Sequence, residues 1–435
     1  MDQLWVTIVL LGALAVMLAA GIWIAIALLA LGFIGMVFFT DSPAGLLMAT
    51  TVWGSSTSWA LTALPLFIWM GEILFRSRIS EDMFNGLAPW MDALPGRLVH
   101  CNIIGCGIFA AISGSSTATC ATIGKITIPE LRKRNYDEAM YIGSLAGAGT
   151  LGLMIPPSII LIVYGVAADV SIARLFVAGV LPGILLVVLF SGYIAIWALL
   201  NPGRTPPRSV RMTLWQKLWE GRFLIPTVLL IAAVIGSIYA GIASPTESAA
   251  LGVLGALILS ASTGGLNWKT FSESVMGAMR TSCMIAFILT GAAFLTVGMG
   301  FTGVPRAIAE TITRMGLTPG ELIGVLTLLF LVLGCFLDGI SMVVLTAAVI
   351  LPSVRAAGID LLWFGIFIVL VVEAAQVTPP VGFNLYVLQA LTRRDMFYVA
   401  RVSLPFFCLM VAAVAIIWAF PEIVSYLPSK MFQVK

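Results

Sequence analysis

The chain has 435 residues, 60% of them apolar, with only 23 basic and 20 acidic side chains and a net charge of +3. Soluble chains carry about 25% charged residues, so the 10% found here excludes a soluble enzyme or a nucleic-acid binder. A mean hydropathy of +1.08 points to a polytopic membrane protein.

Apolar runs long enough to cross a bilayer, about 20 residues each, occur at 4–20, 22–39, 59–76, 138–167, 174–199, 222–241, 246–263, 281–300, 361–390 and 402–422. The N-terminal Met-Asp-Gln has no basic n-region, so no cleaved signal peptide is expected. The first two runs make one stretch, about 54 Å as a single helix against a hydrocarbon core of about 30 Å, and a split near Gly21 is expected. Residues from Pro421 onward read as a short tail.

Two further stretches, 101–128 and 322–354, are apolar but interrupted by Gly114-Ser115-Ser116-Thr117 and by Asp338-Gly339-Ile340-Ser341. Each follows an amphipathic segment, 83–98 and 304–317. Irregular backbone at membrane depth survives only where protein or a water-filled cavity satisfies it. Both stretches therefore read as re-entrant helical hairpins with their tips near the midplane.

Lysine and arginine mark sidedness. With ten crossings and two hairpins, 17 of the 23 basic residues fall on one face, including Arg76, Arg132, Arg204 and Arg394. Arg174, Arg306, Arg314, Arg355, Lys430 and Lys435 fall on the other. The richer face is expected to be cytoplasmic, which leaves both termini, the C-terminus included, on the periplasmic side.

A constant offset runs through the sequence. Pro129 and Pro352, Asp137 and Asp360, Pro156 and Pro379, Pro157 and Pro380, and Pro182 and Pro405 all lie 223 residues apart. This predicts an internal duplication: a first repeat over 1–200, a basic linker at 201–223 and a second repeat over 222–435. Five crossings per half is an odd number, so the second copy is inverted. Inverted repeats with broken helices at matching positions are the sequence signature of a secondary transporter whose site lies at the repeat interface.

The candidate chemistry sits on four elements: the two hairpin tips, and the breaks at Pro156-Pro157 and Pro379-Pro380. Consecutive prolines remove two amide donors and unwind the preceding turn. Freed carbonyls and hydroxyls are neutral oxygens suited to a hard monovalent cation, and half-helix N-termini can face an anion. The alternative is that the prolines merely kink helices and the small residues allow close packing. Asp338, the carboxylate at a tip, is a candidate for cation ligation, proton binding or helix capping. Glu373 lies just ahead of the second break, and Glu247, after Pro245-Thr246, reads as a helix-start residue.

Other patterns fail. Cys101 and Cys106 beside His100 lack the second half of a zinc motif. Gly124-Lys125 is followed by Ile126, so no Walker pattern exists. No hydrolase triad is evident, and neither an enzyme nor a bound cofactor is expected.

Ser113-Gly-Ser-Ser-Thr-Ala-Thr, Gly152-Leu-Met-Ile-Pro-Pro-Ser, Ser244-Pro-Thr-Glu-Ser-Ala-Ala and Val377-Thr-Pro-Pro-Val-Gly-Phe-Asn resemble the large membrane subunit of tripartite ATP-independent periplasmic (TRAP) transporters over essentially the whole chain. The resemblance implies sodium-driven, elevator-type uptake of an organic acid across a bacterial inner membrane. It also implies a separate small four-helix membrane subunit and a periplasmic substrate-binding protein as partners. On that pattern a first sodium would use Ser115, Ser116, Thr117, Gly147, Thr150 and Pro156. A second would use Asp338, Gly339, Ser341, Gln376, Thr378 and Pro379. The small carboxylate would meet Ser116, Thr119, Ser158, Ser341 and Asn384. A four-carbon dicarboxylate is the first expectation, followed by sialic acid, keto acids and compatible solutes. A stand-alone sodium/carboxylate transporter and an uncoupled channel or scaffold stay open as alternatives.

Overall fold

The computed structural model describes residues 3–77, 79–207, 212–314, 317–380 and 382–431, and among them it contains helices and no strand. The first apolar stretch divides as its length requires. Helix α1 (Gln3–Ala19) and helix α2 (Ile24–Phe39) meet at Gly21, whose φ of 73° is a turn that L side chains resist. Next come α3 (Ala44–Ser56), α4 (Ala63–Phe75) and α5 (Ile79–Met91). Helix α3 was not expected. Its Thr50 and Ser55 hydroxyls fold back onto the carbonyls of Leu46 and Val52, which hides their polarity within the helix.

The first expected hairpin is α6 (His100–Ser113) and α7 (Ser116–Lys133). Gly114 joins them at φ 58°, the left-handed stop that commonly ends a helix. Helices α8 (Glu138–Met154) and α9 (Ile159–Ala168) form a single path bent by 43° at the first proline pair, and α10 (Ile172–Leu200) follows. The expected linker at 201–223 holds α11 (Leu214–Glu220), closed by a Thr213–Gln216 capping box. Helices α12 (Leu224–Tyr239) and α13 (Pro245–Ser262) come next, and Ser244 and Glu247 cap each other at the start of α13.

The span expected at 281–300 is the end of a much longer helix, α14 (Trp268–Thr302). Its polar first half is held by neighbours, with Arg76 on Glu273 at 2.7 Å and the Trp69 indole N–H on Ser274 at 3.2 Å. After α15 (Val304–Arg314) the second hairpin is α16 (Pro319–Gly334) and α17 (Gly339–Ala356). The second broken path is α18 (Leu361–Ala375) and α19 (Phe383–Thr392), followed by α20 (Met396–Ala419). The expected tail carries α21 (Glu422–Lys430), which packs on α10.

Among the described residues five helices, α10, α13, α14, α17 and α20, are individually long and apolar enough to cross a membrane. The interior is built from large side chains such as Tyr141, Tyr164, Phe109, Phe176 and Phe406. Outward faces of α1, α2 and α10 expose Trp5, Phe38, Val188 and Ile196, an arrangement stable in lipid.

Residues 223 apart occupy matching places. Ser115 and Asp338 are the N-caps of α7 and α17, and Asp137 and Asp360 are the N-caps of α8 and α18. Pro129 and Pro352 lie within α7 and α17, and Pro182 and Pro405 lie within α10 and α20. The Pro156-Pro157 and Pro379-Pro380 bonds are both cis. Arg76, Arg394 and Arg204, counted on one face in the sequence, form ion pairs with Glu273, Glu138 and Asp137 of separate segments.

Candidate functional site: two hairpin tips on two broken helices

Each break is a consequence of missing donors. In α8 the carbonyls of Gly152 and Leu153 would bond the amides of residues 156 and 157, which are prolines. The Ser158 hydroxyl substitutes at Leu153 and also accepts from the Leu161 amide, so Ser158 starts α9. The break spans only Ile155–Ser158 and is almost wholly buried.

The first hairpin tip rests on this break. A Cβ on Gly152 would lie 2.5 Å from the Ser115 carbonyl oxygen and 2.8 Å from the Thr119 hydroxyl. A Cβ on Gly114 would lie 3.0 Å from the Pro157 carbonyl. Backbone therefore touches backbone, and the oxygens of Ser115, Thr119 and Pro157 gather there. Ser115 and Thr117 hydroxyls pair at 3.3 Å, and Ser116 is buried at the first turn of α7.

Gly147 and Thr150, expected in the first cation site, face elsewhere. Gly147 abuts Phe406 of α20, and the Thr150 hydroxyl donates to the Gly147 carbonyl and contacts the Met410 sulfur. Gly152, two residues on, turns to the tip instead. Composition marked the glycine-rich segment, while only the rotational phase of α8 distinguishes its two faces.

The second break is longer, from Gln376 to Gly382. Its carbonyls are partly reclaimed: the Asn384 amide donates to Gln376 and the Gly382 amide to Thr378. The Thr378 hydroxyl donates to Ala375, and Pro379 and Pro380 are exposed. The second tip meets this break through Cys335, whose thiol lies 3.2 Å from the Pro379 carbonyl, and through Gly339 beside Gln376 and Val372. Asp338 is a helix cap, accepting from the amides of Ile340 and Ser341 and from the Ser341 hydroxyl. Of the three roles open to it in the sequence, capping is the one observed.

The expected solute contacts are enclosed in this conformation. Thr119 donates to the Ser115 carbonyl, Ser341 is engaged by Asp338, and Ser158 is fully buried as a cap. Asn384 reaches across to α8, donating to the Ala146 carbonyl at 3.4 Å, and its Oδ1 has no partner among the described residues. The two modules interlock: α7 packs on α19, and α17 packs on α9.

Two hairpins braced on two proline-broken helices within a lipid-facing helical shell define a membrane transport protein of the secondary-transporter type. A solved structure, the Alcanivorax borkumensis YdaH transporter, shares this fold with a TM-score of 0.65 over 92% of this chain and 98% of its own, at 12% identity. Residues 11–423 match the family described as tripartite ATP-independent periplasmic transporter, DctM component. The C4-dicarboxylate TRAP transporter large permease protein DctM of Pseudomonas aeruginosa is 29% identical over 91% of both chains. The ectoine/5-hydroxyectoine TRAP transporter large permease protein UehC of Ruegeria pomeroyi is 30% identical over 96% of this chain and 97% of its own. The isethionate TRAP transporter permease protein DctMQ of Oleidesulfovibrio alaskensis is 32% identical over 95% of this chain and 65% of its own length.

The chain belongs to the DctM-component family of TRAP transporters. It is a membrane permease subunit of a tripartite system.

Proposed function

We propose that this permease couples inward movement of sodium to uptake of a small organic acid across the inner membrane. The observation that carries the reading is the paired geometry, in which a polar hairpin tip packs against a proline-broken helix at Gly152–Ser115 and again at Gly339–Gln376. Neutral oxygens at such breaks suit a monovalent cation, and the N-termini of α7 and α17 suit a carboxylate. The first cation would take its ligands from Ser115, Ser116 and Thr117 with Gly152 and Pro156. The second would take them from Asp338, Gly339, Ser341, Gln376, Thr378 and Pro379.

The two halves act in this reading as inverted repeats, with hairpins and broken helices moving as one body, elevator fashion, against α1–α5 and α11–α15. A small four-helix membrane subunit and a periplasmic binding protein complete the system, and the arginine-rich face lies in the cytoplasm. The substrates in the names of relatives, C4-dicarboxylate, isethionate and ectoine, favour small polar organic solutes. A C4-dicarboxylate is the first candidate.

Reconstituting the permease with its small subunit and binding protein in proteoliposomes tests this. Uptake of labelled succinate should require an inward sodium gradient and collapse when the gradient is dissipated. Equal uptake without sodium would remove the coupling. Full uptake without the binding protein would favour a stand-alone transporter.

A further inference from the structure

The chain between the two repeats ends in an elbow. Helix α11 turns into α12 through 71° at Gly221–Phe223. Helix α12 is apolar along its length, so with α12 crossing the bilayer α11 lies close to the membrane plane. The elbow is seated on α5 by close contact. A Cβ on Gly86 would lie 2.8 Å from the Leu224 side chain, and one on Gly221 would lie 3.4 Å from the Trp90 indole nitrogen.

Leu214, Trp215, Leu218 and Trp219 recur at i, i+1, i+4 and i+5, which puts them on one face of α11. All four are exposed, Leu214 to 71% and Trp215 to 75%. Ile225 and Leu229 continue the exposed apolar surface along α12. Two cations lie beside aromatic rings at the same elbow. The Arg222 guanidinium is 4.1 Å from the Trp219 ring centre and donates to the Trp219 carbonyl at 3.0 Å. The Lys217 ammonium is 5.7 Å from the ring centre of Trp90 in α5. Over the whole linker, Arg204, Arg208, Arg211, Lys217 and Arg222 outnumber the acidic Glu220.

Water would leave the four large apolar side chains of a seven-residue helix unburied. Pure hydrocarbon would strand Lys217, Glu220 and Arg222. The headgroup boundary satisfies both, with indoles and leucines toward the acyl chains and the cations toward phosphate. We propose that the α11–α12 elbow is a docking surface for anionic phospholipid, with Lys217 and Arg222 as its charge-selective residues. A zwitterionic lipid satisfies the rings, whereas the basic excess is complementary to a lipid of net negative charge. Since the elbow sits on α5, this anchor falls on the body held stationary in the transport reading, and it holds whichever ion drives uptake.

Tryptophan quenching in the reconstituted complex of permease and small subunit tests the surface. The bilayers contain equal parts of phosphatidylglycerol and phosphatidylcholine, with brominated acyl chains on one lipid or the other. The signal of Trp215 and Trp219 is the wild-type fluorescence less that of the variant Trp215→Phe with Trp219→Phe. It should be quenched about twofold more strongly when phosphatidylglycerol carries the bromine. Lys217→Gln with Arg222→Gln keeps both indoles and should make the two lipids equal. High salt should do the same in the wild type, which keeps the test open if the charge variant does not fold. Equal quenching by both lipids in the wild type at low salt overturns the anionic selectivity. A preference that survives both charge removal and salt overturns the role of Lys217 and Arg222. Absence of quenching by either lipid overturns lipid docking and assigns the face to the small subunit.

Discussion

The two tip–break modules share a plan, yet at two matching positions the first carries a hydroxyl where the second carries a carboxylate. Ser115 answers to Asp338, and Thr150 answers to Glu373. At the tips the exchange is local chemistry. Ser115 makes no capping bond to α7, whereas Asp338 accepts from two amides and a hydroxyl at the start of α17, where the helix dipole also favours negative charge. At the helix position the same exchange has the opposite character. Thr150 is satisfied within its own turn, while the Glu373 carboxylate oxygens have no hydrogen-bond partner among the described residues.

The breaks differ as well. The first is short and enclosed, and the second is longer and exposes both prolines. One fold can therefore hold two modules of unequal charge and unequal access, and the cation sites proposed for them need not be equivalent in affinity or order of filling.

Four sets of substitutions would break or sharpen this contrast. The largest effect is expected from restoring amide donors to the breaks. Pro156→Ala with Pro157→Ala should lower sodium-dependent uptake at least about tenfold, because a continuous helix no longer offers carbonyls. Pro379→Ala with Pro380→Ala should do so less severely at its more open break. Equal uptake by wild type and both double variants in proteoliposomes would remove the breaks from the mechanism.

Next in size is Gly152→Ala, whose new methyl would meet the Ser115 carbonyl at 2.5 Å. Overpacking of this kind costs about 1–3 kcal/mol, measurable by thermal unfolding in detergent, and here it should also weaken sodium binding. Gly147→Ala strikes Phe406 instead, at 2.7 Å, and should destabilise the protein while leaving sodium affinity alone. If both variants bind sodium equally well, the tip contact is structural only.

A smaller effect is expected at the caps. Asp338→Ala should cost about 0.5–2 kcal/mol through loss of capping, and Ser115→Ala should cost less because no capping bond is lost. Asp338→Asn retains the cap. Sodium affinity that falls in this variant while stability holds would assign Asp338 a ligand role beyond capping.

The smallest effect is expected at Arg394, which holds Glu138 at 2.6 Å on the exposed rim. Arg394→Gln should leave both melting temperature and uptake without resolvable change, since exposed pairs contribute little. A large loss of uptake would instead make this pair a latch between modules.

Much of this architecture could be read from the chain because its causes are local. Proline has no amide hydrogen wherever it sits, so both breaks were visible, and the polar tips stood out against apolar flanks. Gly21 and the Ser244–Glu247 cap followed from the same kind of reasoning. Helix α3 and the first half of α14 were not visible, because their polar groups are satisfied by contacts distant in sequence or by the helix itself. The facing of Gly147, Thr150 and Gly152 depends on the phase of α8, and the burial of Glu373 depends on the helices packed around α18.

Helix α14 carries a last consequence. Its 35 residues make a rod of about 52 Å, well beyond a hydrocarbon layer of about 30 Å. One end is pinned at the water boundary by Arg76 and Glu273, and farther along its length it bears on α17. Its apolar second half suffices to fill that layer, so the polar first half extends past it, and the tilt of the whole is set by the helices packed on it. Any movement of the second hairpin would therefore bear on the same rod that Arg76 and Glu273 hold at its other end.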